Sequence, residues 1–372
     1  MGQVDLNREK DSFSARRKKY LAAKKKRRAK KRGILIDSPS KEDLVVLFEN
    51  YQKGHFNNSI KLAFSITEKF PDHPFAWNIL GLSLLNAGSM QEALKLGFSI
   101  TKKFPDEPFS WEILGLSLLH LGRTQEALNV NRKLVYLSPQ DPSSYNNLGA
   151  TLRQLGKLNE AESNYKKSLS LNQNNAVVHN NLANILKDLH NYVEAEVHYK
   201  SAIALKYDYA DAHHNFASML TDLGRLAEAR LSYETAIKLN PTNASTYRMY
   251  SLIKHFKSRD EHYLRMQNLY LDQHIRDDQR CEISFALGKA SEDLLDYKQA
   301  FQFFSEGNRL RKRCLQYDIR QDVDLFCEIK SSFSKKVVGS SLKIYKPTNC
   351  LKPIFIIGMP RSGTTLVEHI IT

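Results

Sequence analysis

The residues best placed to hold an anion lie near the C-terminus. In "KPIFIIGMPRSGTTLVEHIIT", residues 352–372, an apolar run leads into "GMPRSG", and "TTLVEHIIT" follows. The run reads as a buried parallel strand. The spacing of Leu366, Val367, Ile370 and Ile371 suits a helix packed on a sheet. A glycine-bounded loop between strand and helix points successive backbone N–H groups inward and adds the positive end of the helix dipole. Gly358 to Gly363 matches the spacing of a nucleotide loop, but Thr364 stands where its lysine belongs. That lysine holds the β- and γ-phosphates in nucleoside triphosphatases, so its absence argues against their chemistry. A smaller anion fits better. Backbone amides, the hydroxyls of Ser362, Thr364 and Thr365, and the Arg361 guanidinium would hold it.

A second chemical regularity lies upstream. Asn147, Asn181 and Asn215 stand 34 residues apart. A carboxamide carries one acceptor and two donors and can bracket a peptide unit of an extended chain. Asparagines at a fixed interval become a ladder only if the elements that carry them are stacked.

The sequence repeats at that interval. "FAWNILGLSLLNAGSMQEALKL" recurs as "FSWEILGLSLLHLGRTQEALNV", and three further copies follow through residue 232. A period of this length signals stacked supersecondary units. With starts at Pro74, Pro108, Pro142, Ala176 and Ala210, the fourth position is Trp77, Trp111, Tyr145, His179 and His213. The seventh is Leu80, Leu114, Leu148, Leu182 and Phe216, and the eighth is small: Gly81, Gly115, Gly149, Ala183 and Ala217. Large apolar groups three apart share a helix face, and the small residue admits a second helix. Gly88, Gly122, Gly156 and Gly224 suit a left-handed C-cap. Ala93, Ala127, Ala161, Ala195 and Ala229 mark the crossing of the second helix on the first.

These positions resemble the tetratricopeptide repeat (TPR) family. A degenerate unit precedes the five, with Gly54 and Pro71 in phase, and two more follow, one from Ala244 and one keeping Leu287, Gly288 and Ala300. The expected fold is an all-α TPR superhelical solenoid of about 7–8 helix pairs, its first helices lining a concave groove. A further helix from about 320 to 337 is expected to close the stack. A ladder like Asn147, Asn181 and Asn215 marks the superhelix of O-GlcNAc transferases, which bind polypeptides. The resemblance therefore implies an extended polypeptide in the groove. His179 and His213, a helix-pair spacing of about 10 Å apart, read as core or groove residues rather than as metal ligands.

The segment "GMPRSGTTL" resembles the 5′-phosphosulfate loop of sulfotransferases that use 3′-phosphoadenosine-5′-phosphosulfate (PAPS). Among these it is most similar to the tyrosylprotein sulfotransferases and to bacterial relatives in which TPR arrays precede the catalytic domain. The resemblance implies that Arg361, Ser362, Gly363, Thr364 and Thr365 bind PAPS, and that Arg361 also steadies charge on the bridging oxygen as sulfuryl transfers. It implies no metal. About 20 residues carry it. The family's catalytic base and 3′-phosphate segment lie downstream of this loop, and Glu368 does not match the base. The expectation is therefore a truncated chain, inactive by itself. The alternative function is a non-catalytic interaction scaffold; O-glycosyl transfer, by analogy with the ladder, is the weaker third reading.

Composition bounds the rest. Of the net +15, residues 1–32 carry +11, with 14 Lys/Arg against 3 Asp/Glu. The high charge describes a tail, read as solubilising, with an anionic surface as its alternative partner; no motif for specific nucleic-acid reading accompanies it. Four cysteines in this length, Cys281, Cys314, Cys327 and Cys350, exclude a disulfide scaffold and fit a reducing compartment; with no C-x-x-C pair among them, a structural zinc site is not expected. No apolar run approaches the ~18 residues of a membrane span, so a cytoplasmic protein is expected. The expected division is a basic tail (1–40), TPR repeats (41–313), a closing helix and linker (314–350), and the first strand–loop–helix of an α/β P-loop-like sulfotransferase domain (351–372).

Overall fold

The computed structural model describes residues 38–332, all of whose regular elements are α-helices. The basic tail up to residue 37, residues 333–350 of the linker and the whole phosphosulfate-like loop with Arg361, Ser362, Gly363, Thr364 and Thr365 lie outside the described residues.

Sixteen of the helices form eight pairs. Unit I is α1 (Lys41–Gln52) with α2 (Phe56–Lys69), and unit II is α3 (Pro74–Asn86) with α4 (Met90–Lys103). Unit III is α5 (Pro108–His120) with α6 (Thr124–Leu137), and unit IV is α7 (Pro142–Gln154) with α8 (Leu158–Leu171). Unit V is α9 (Ala176–Asp188) with α10 (Tyr192–Leu205), and unit VI is α11 (Ala210–Asp222) with α12 (Leu226–Leu239). Unit VII is α13 (Ala244–Ile253) with α14 (Glu261–Leu271), and unit VIII is α15 (Asp277–Asp293) with α16 (Tyr297–Cys314). The last helix is α17 (Ile319–Ser332).

Local chemistry sets the helix ends. Proline opens α3, α5 and α7 at the first turn, where its missing N–H costs nothing. Asp141 and Asn175 accept from the first free N–H groups of α7 and α9. Gly54, Gly88, Gly122, Gly156 and Gly224 turn the chain at φ between +72° and +77° after the first helices. Units V and VIII carry His190 and Leu295 at the same place, both at φ +61°. Left-handed backbone costs an ordinary L residue roughly 1–2 kcal/mol.

The crossing alanines Ala93, Ala127, Ala161, Ala195 and Ala229 are all fully buried. A Cβ on Gly115 would stand 2.3 Å from Oδ1 of Asn131, and one on Gly149 2.9 Å from the Tyr165 ring. Both contacts are with the second helix of the same unit, as the sequence implies. Gly81 departs from this, since its added Cβ would strike Ile113 of the next unit's first helix at 2.2 Å. The second helix of unit II makes its own close approach across the same boundary: a Cβ on Gly97 would lie 2.9 Å from the Leu114 backbone of α5 in unit III.

Successive first helices pack on one another, while each second helix packs between the first helices on either side. The first helices therefore follow the shorter path and form the concave wall. Unit VII breaks this pattern. Its first helix stops at Ile253, and α13 packs broadly on α15 instead of on its own partner α14. The loop between them is tied down: Phe256 N donates to Asp293, Tyr263 donates to Gln299, and Lys254 pairs with Asp260 at 2.5 Å.

The expected closing helix exists but does not close the stack. It begins at Ile319, residue 337 lies outside the described residues, and Ile319, Val323, Leu325, Phe326 and Ile329 are all exposed.

Candidate functional site

The fourth position of each unit has one role in five copies. Trp77 and Trp111 donate Nε1–H to the carbonyls of Pro71 and Pro105, each at 2.7 Å. Tyr145 donates its hydroxyl to the Pro139 carbonyl at 3.1 Å. His179 and His213 donate Nε2–H to the carbonyls of Gln173 and Tyr207 at 3.0 and 2.9 Å. Each side chain reaches back six residues and locks the turn that joins two units. A large ring with one N–H or O–H satisfies this geometry, which explains why histidine replaces tryptophan. Both histidines serve as structural donors.

A carbonyl can only accept, so His179 carries its proton on Nε2 and presents a bare Nδ1 when neutral. That nitrogen lies 2.8 Å from Nδ1 of His198 on the second helix of unit V. Burial and the neighbouring His179 hold the His198 imidazole below its usual range. Among the described residues no group of three or more His, Cys, Asp or Glu side chains can hold a metal ion.

The asparagine ladder is more organised than its spacing suggests. Asn181 donates Nδ2–H to Oδ1 of Asn146 at 3.1 Å, and Asn215 donates likewise to Asn180 at 3.1 Å. The sixth position of one unit thus bonds the fifth position of the unit before, 35 residues earlier. At the N-terminal end the same offset brings the Asn147 amide to Glu112, where it favours the ionised carboxylate. Desolvation and then the charge of Asp141 act against it and raise the Glu112 carboxyl above its usual range. The relay ends at both sides for readable reasons. In unit III the sixth position is Ile113, which leaves Oδ1 of Asn78 buried and without a partner. In unit VII it is Met249, and His214 turns instead to the Thr246 hydroxyl at 3.0 Å.

Asn147 is buried, while Asn181 and Asn215 are half-buried. Each of the latter uses one N–H for the relay and keeps a second N–H and its carbonyl. The relay therefore fixes the amide plane while leaving one donor and one acceptor, the pair needed to bracket a peptide unit.

A second relay with the same offset runs along the C-terminal ends of the first helices. Arg153 pairs with Asp188 at 3.3 Å, Lys187 with Asp222 at 3.8 Å, and Asn86 donates to the Tyr51 hydroxyl at 3.4 Å. These pairs answer one another across unit boundaries and leave the central concave wall with little net charge. Toward the N-terminus the wall turns apolar. Leu44, Val45, Phe48, Glu49, His73 and Phe75 line an open cavity of about 400 Å³. A cavity of about 290 Å³ beside Cys281 lies away from the ladder, and its Arg276 and Arg311 already face Asp278 and Glu282.

These features define the class: an all-helical solenoid of two-helix units with a stitched concave wall. Models described as tetratricopeptide repeat match residues 99–142, 140–208 and 210–243. The chain therefore carries TPR repeats. It is similar in fold to the APC/C hetero-tetramer Cut9–Hcn1 (TM-score 0.54, 15% identity, 72% of this chain and 49% of that one). It is similar likewise to a tetratricopeptide repeat protein from Parabacteroides merdae ATCC 43184 (TM-score 0.51, 20% identity, 66% and 98%). A protein of Aquifex aeolicus (strain VF5), described as uncharacterized, is 32% identical over 116 residues; the match spans 31% of this chain and 15% of that protein. No helix among the described residues is long and apolar enough to cross a membrane.

Proposed function

We propose that the solenoid is an interaction module that holds an extended polypeptide along its concave wall. The observation that carries this reading is the amide relay, which orients Asn181 and Asn215 and leaves each with one free N–H and one free carbonyl. Pre-oriented groups lose less freedom on binding. Unit spacing near 10 Å corresponds to about three residues of extended chain at about 3.3 Å each. The ladder would therefore grip the main chain at every third residue and recognise its path more than its side chains. TPR repeats generally serve peptide partners, which supports the same reading. The test is an array of unstructured tyrosine-containing peptides, compared between the parent and a variant with Asn147, Asn181 and Asn215 all changed to Ala. At least a tenfold loss of affinity is expected. Unchanged affinity in a variant that stays folded sinks the reading.

A second reading rests on "GMPRSGTTL": the repeats deliver a polypeptide to a PAPS-dependent sulfotransferase site. In that chemistry an acceptor hydroxyl, tyrosine by resemblance, attacks sulfur, the bond to the bridging oxygen breaks, and adenosine 3′,5′-bisphosphate leaves. Arg361, Ser362, Gly363, Thr364 and Thr365 would hold the phosphosulfate, and Arg361 would neutralise charge as it develops on the bridging oxygen. The acceptor's proton would pass to a general base, a role for which Glu368 is not a match. Calorimetric titration of the full chain with PAPS tests the loop separately from the groove. Binding that Arg361→Ala abolishes supports it; no binding by the parent refutes it for this chain.

A further inference from the structure

Helix α17 carries an apolar stripe that no other described element covers. Ile319, Val323, Phe326 and Ile329 follow one another at spacings of four, three and three residues and share one side of the helix. Arg320, Asp324 and Glu328 occupy the opposite side. Every residue of the stripe is at least 43% exposed, and Leu325 and Leu315 extend the patch. Contiguous apolar surface of this kind marks a contact site.

The sequence supplies an occupant. Some twenty residues after α17 come Ile354, Phe355, Ile356 and Ile357, then Leu366, Val367, Ile370 and Ile371, apolar at the spacing of a strand and a helix. Such segments need a partner face. The intervening residues, 333–353, can reach about 70 Å when extended, so they impose no geometric bar. A short tether also gives the segment an effective concentration near millimolar, well above that of a second chain in dilute solution.

We propose that the apolar stripe of α17 is the docking face for residues 354–371, which joins the anion-loop segment to the solenoid. This inference is independent of the peptide-groove reading. Helix α17 then serves as the seat on which the loop segment is built, rather than as the end cap of the repeat stack.

Amide hydrogen exchange on the full chain tests it. In the parent, residues 354–357 and 366–371 should be protected. Val323→Asp with Phe326→Asp should speed their exchange at least tenfold while residues 142–253 stay unchanged. In reverse, Ile356→Asp with Ile370→Asp should speed exchange in α17 by a similar factor. Fast exchange of 354–371 in the parent overturns the proposal. So does a C-terminal segment indifferent to the α17 substitutions. Protection of α17 that rises with protein concentration and survives the C-terminal substitutions overturns it in favour of a second copy of the chain.

Discussion

Asn181 gives one side-chain N–H to Asn146 across the boundary between units IV and V, at 3.1 Å. The bond joins two first helices where only side chains can link them. A neutral, half-buried bond of this kind contributes about 1 kcal/mol. Asn181→Ala should lower unfolding free energy by about that much, and a double-mutant cycle with Asn146→Ala should give a coupling of at least 0.5 kcal/mol. Denaturant titration measures both. A coupling indistinguishable from zero would remove the relay as a structural device.

The carboxyl of Glu112 starts the same relay at its N-terminal end, raised by burial and by Asp141. A folded-state value above the unfolded one means the folded chain binds more protons, so this group favours folding at low pH and opposes it as pH rises. Glu112→Gln keeps an acceptor for Asn147 and removes the charge. The variant should show a higher denaturation midpoint at pH 7, with the gain closing below pH about 4 as the parent carboxyl becomes protonated. A lower midpoint at pH 7 would show that the carboxylate itself is needed.

Three imidazoles push the other way. Desolvation is the chief cause holding His198, His214 and His262 below their ordinary range. Here the unfolded chain binds more protons, so stability is intact above pH about 6.5 and falls as pH drops below it. The unfolding midpoint should therefore decline between pH 7 and 5. Replacing His198 by Gln should flatten part of that slope.

Backbone space gives a paired prediction. Gly149→Ala would force a methyl against the Tyr165 ring, which is fully buried, and should destabilise by about 1–3 kcal/mol. Leu295→Gly relieves a left-handed backbone at an exposed site and should stabilise by up to about 1 kcal/mol. Thermal unfolding of the two variants should shift in opposite directions.

Most of the architecture was legible because it depends on residues that repeat. The glycine caps, the crossing alanines and the phase of the units all follow from side-chain size and φ, which sequence states directly. The chemistry of the wall was less legible because it depends on pairs 35 residues apart, one more than the period. That offset joins neighbouring positions, so asparagine at position six was visible while its partner at position five was not. The position of His179 and His213 reads as core or groove in the sequence, but their donor role appears only once the carbonyl six residues back is in place. The break at unit VII was hidden because Leu287, Gly288 and Ala300 keep their mutual spacing while the loop before α14 reorganises.

Position 24 of the repeat has a further consequence. It is Tyr165, Tyr199 and Tyr233 in units IV to VI, all fully buried, but Asn131 in unit III and Gly97 in unit II. One apolar core runs unbroken from Leu128 to Phe303, whereas the first units hold two small separate clusters. Mechanically the molecule is a spring of uneven stiffness. Strain or heat will open it first where the rings are missing, and that compliant end is the one that carries Phe48 and Phe75.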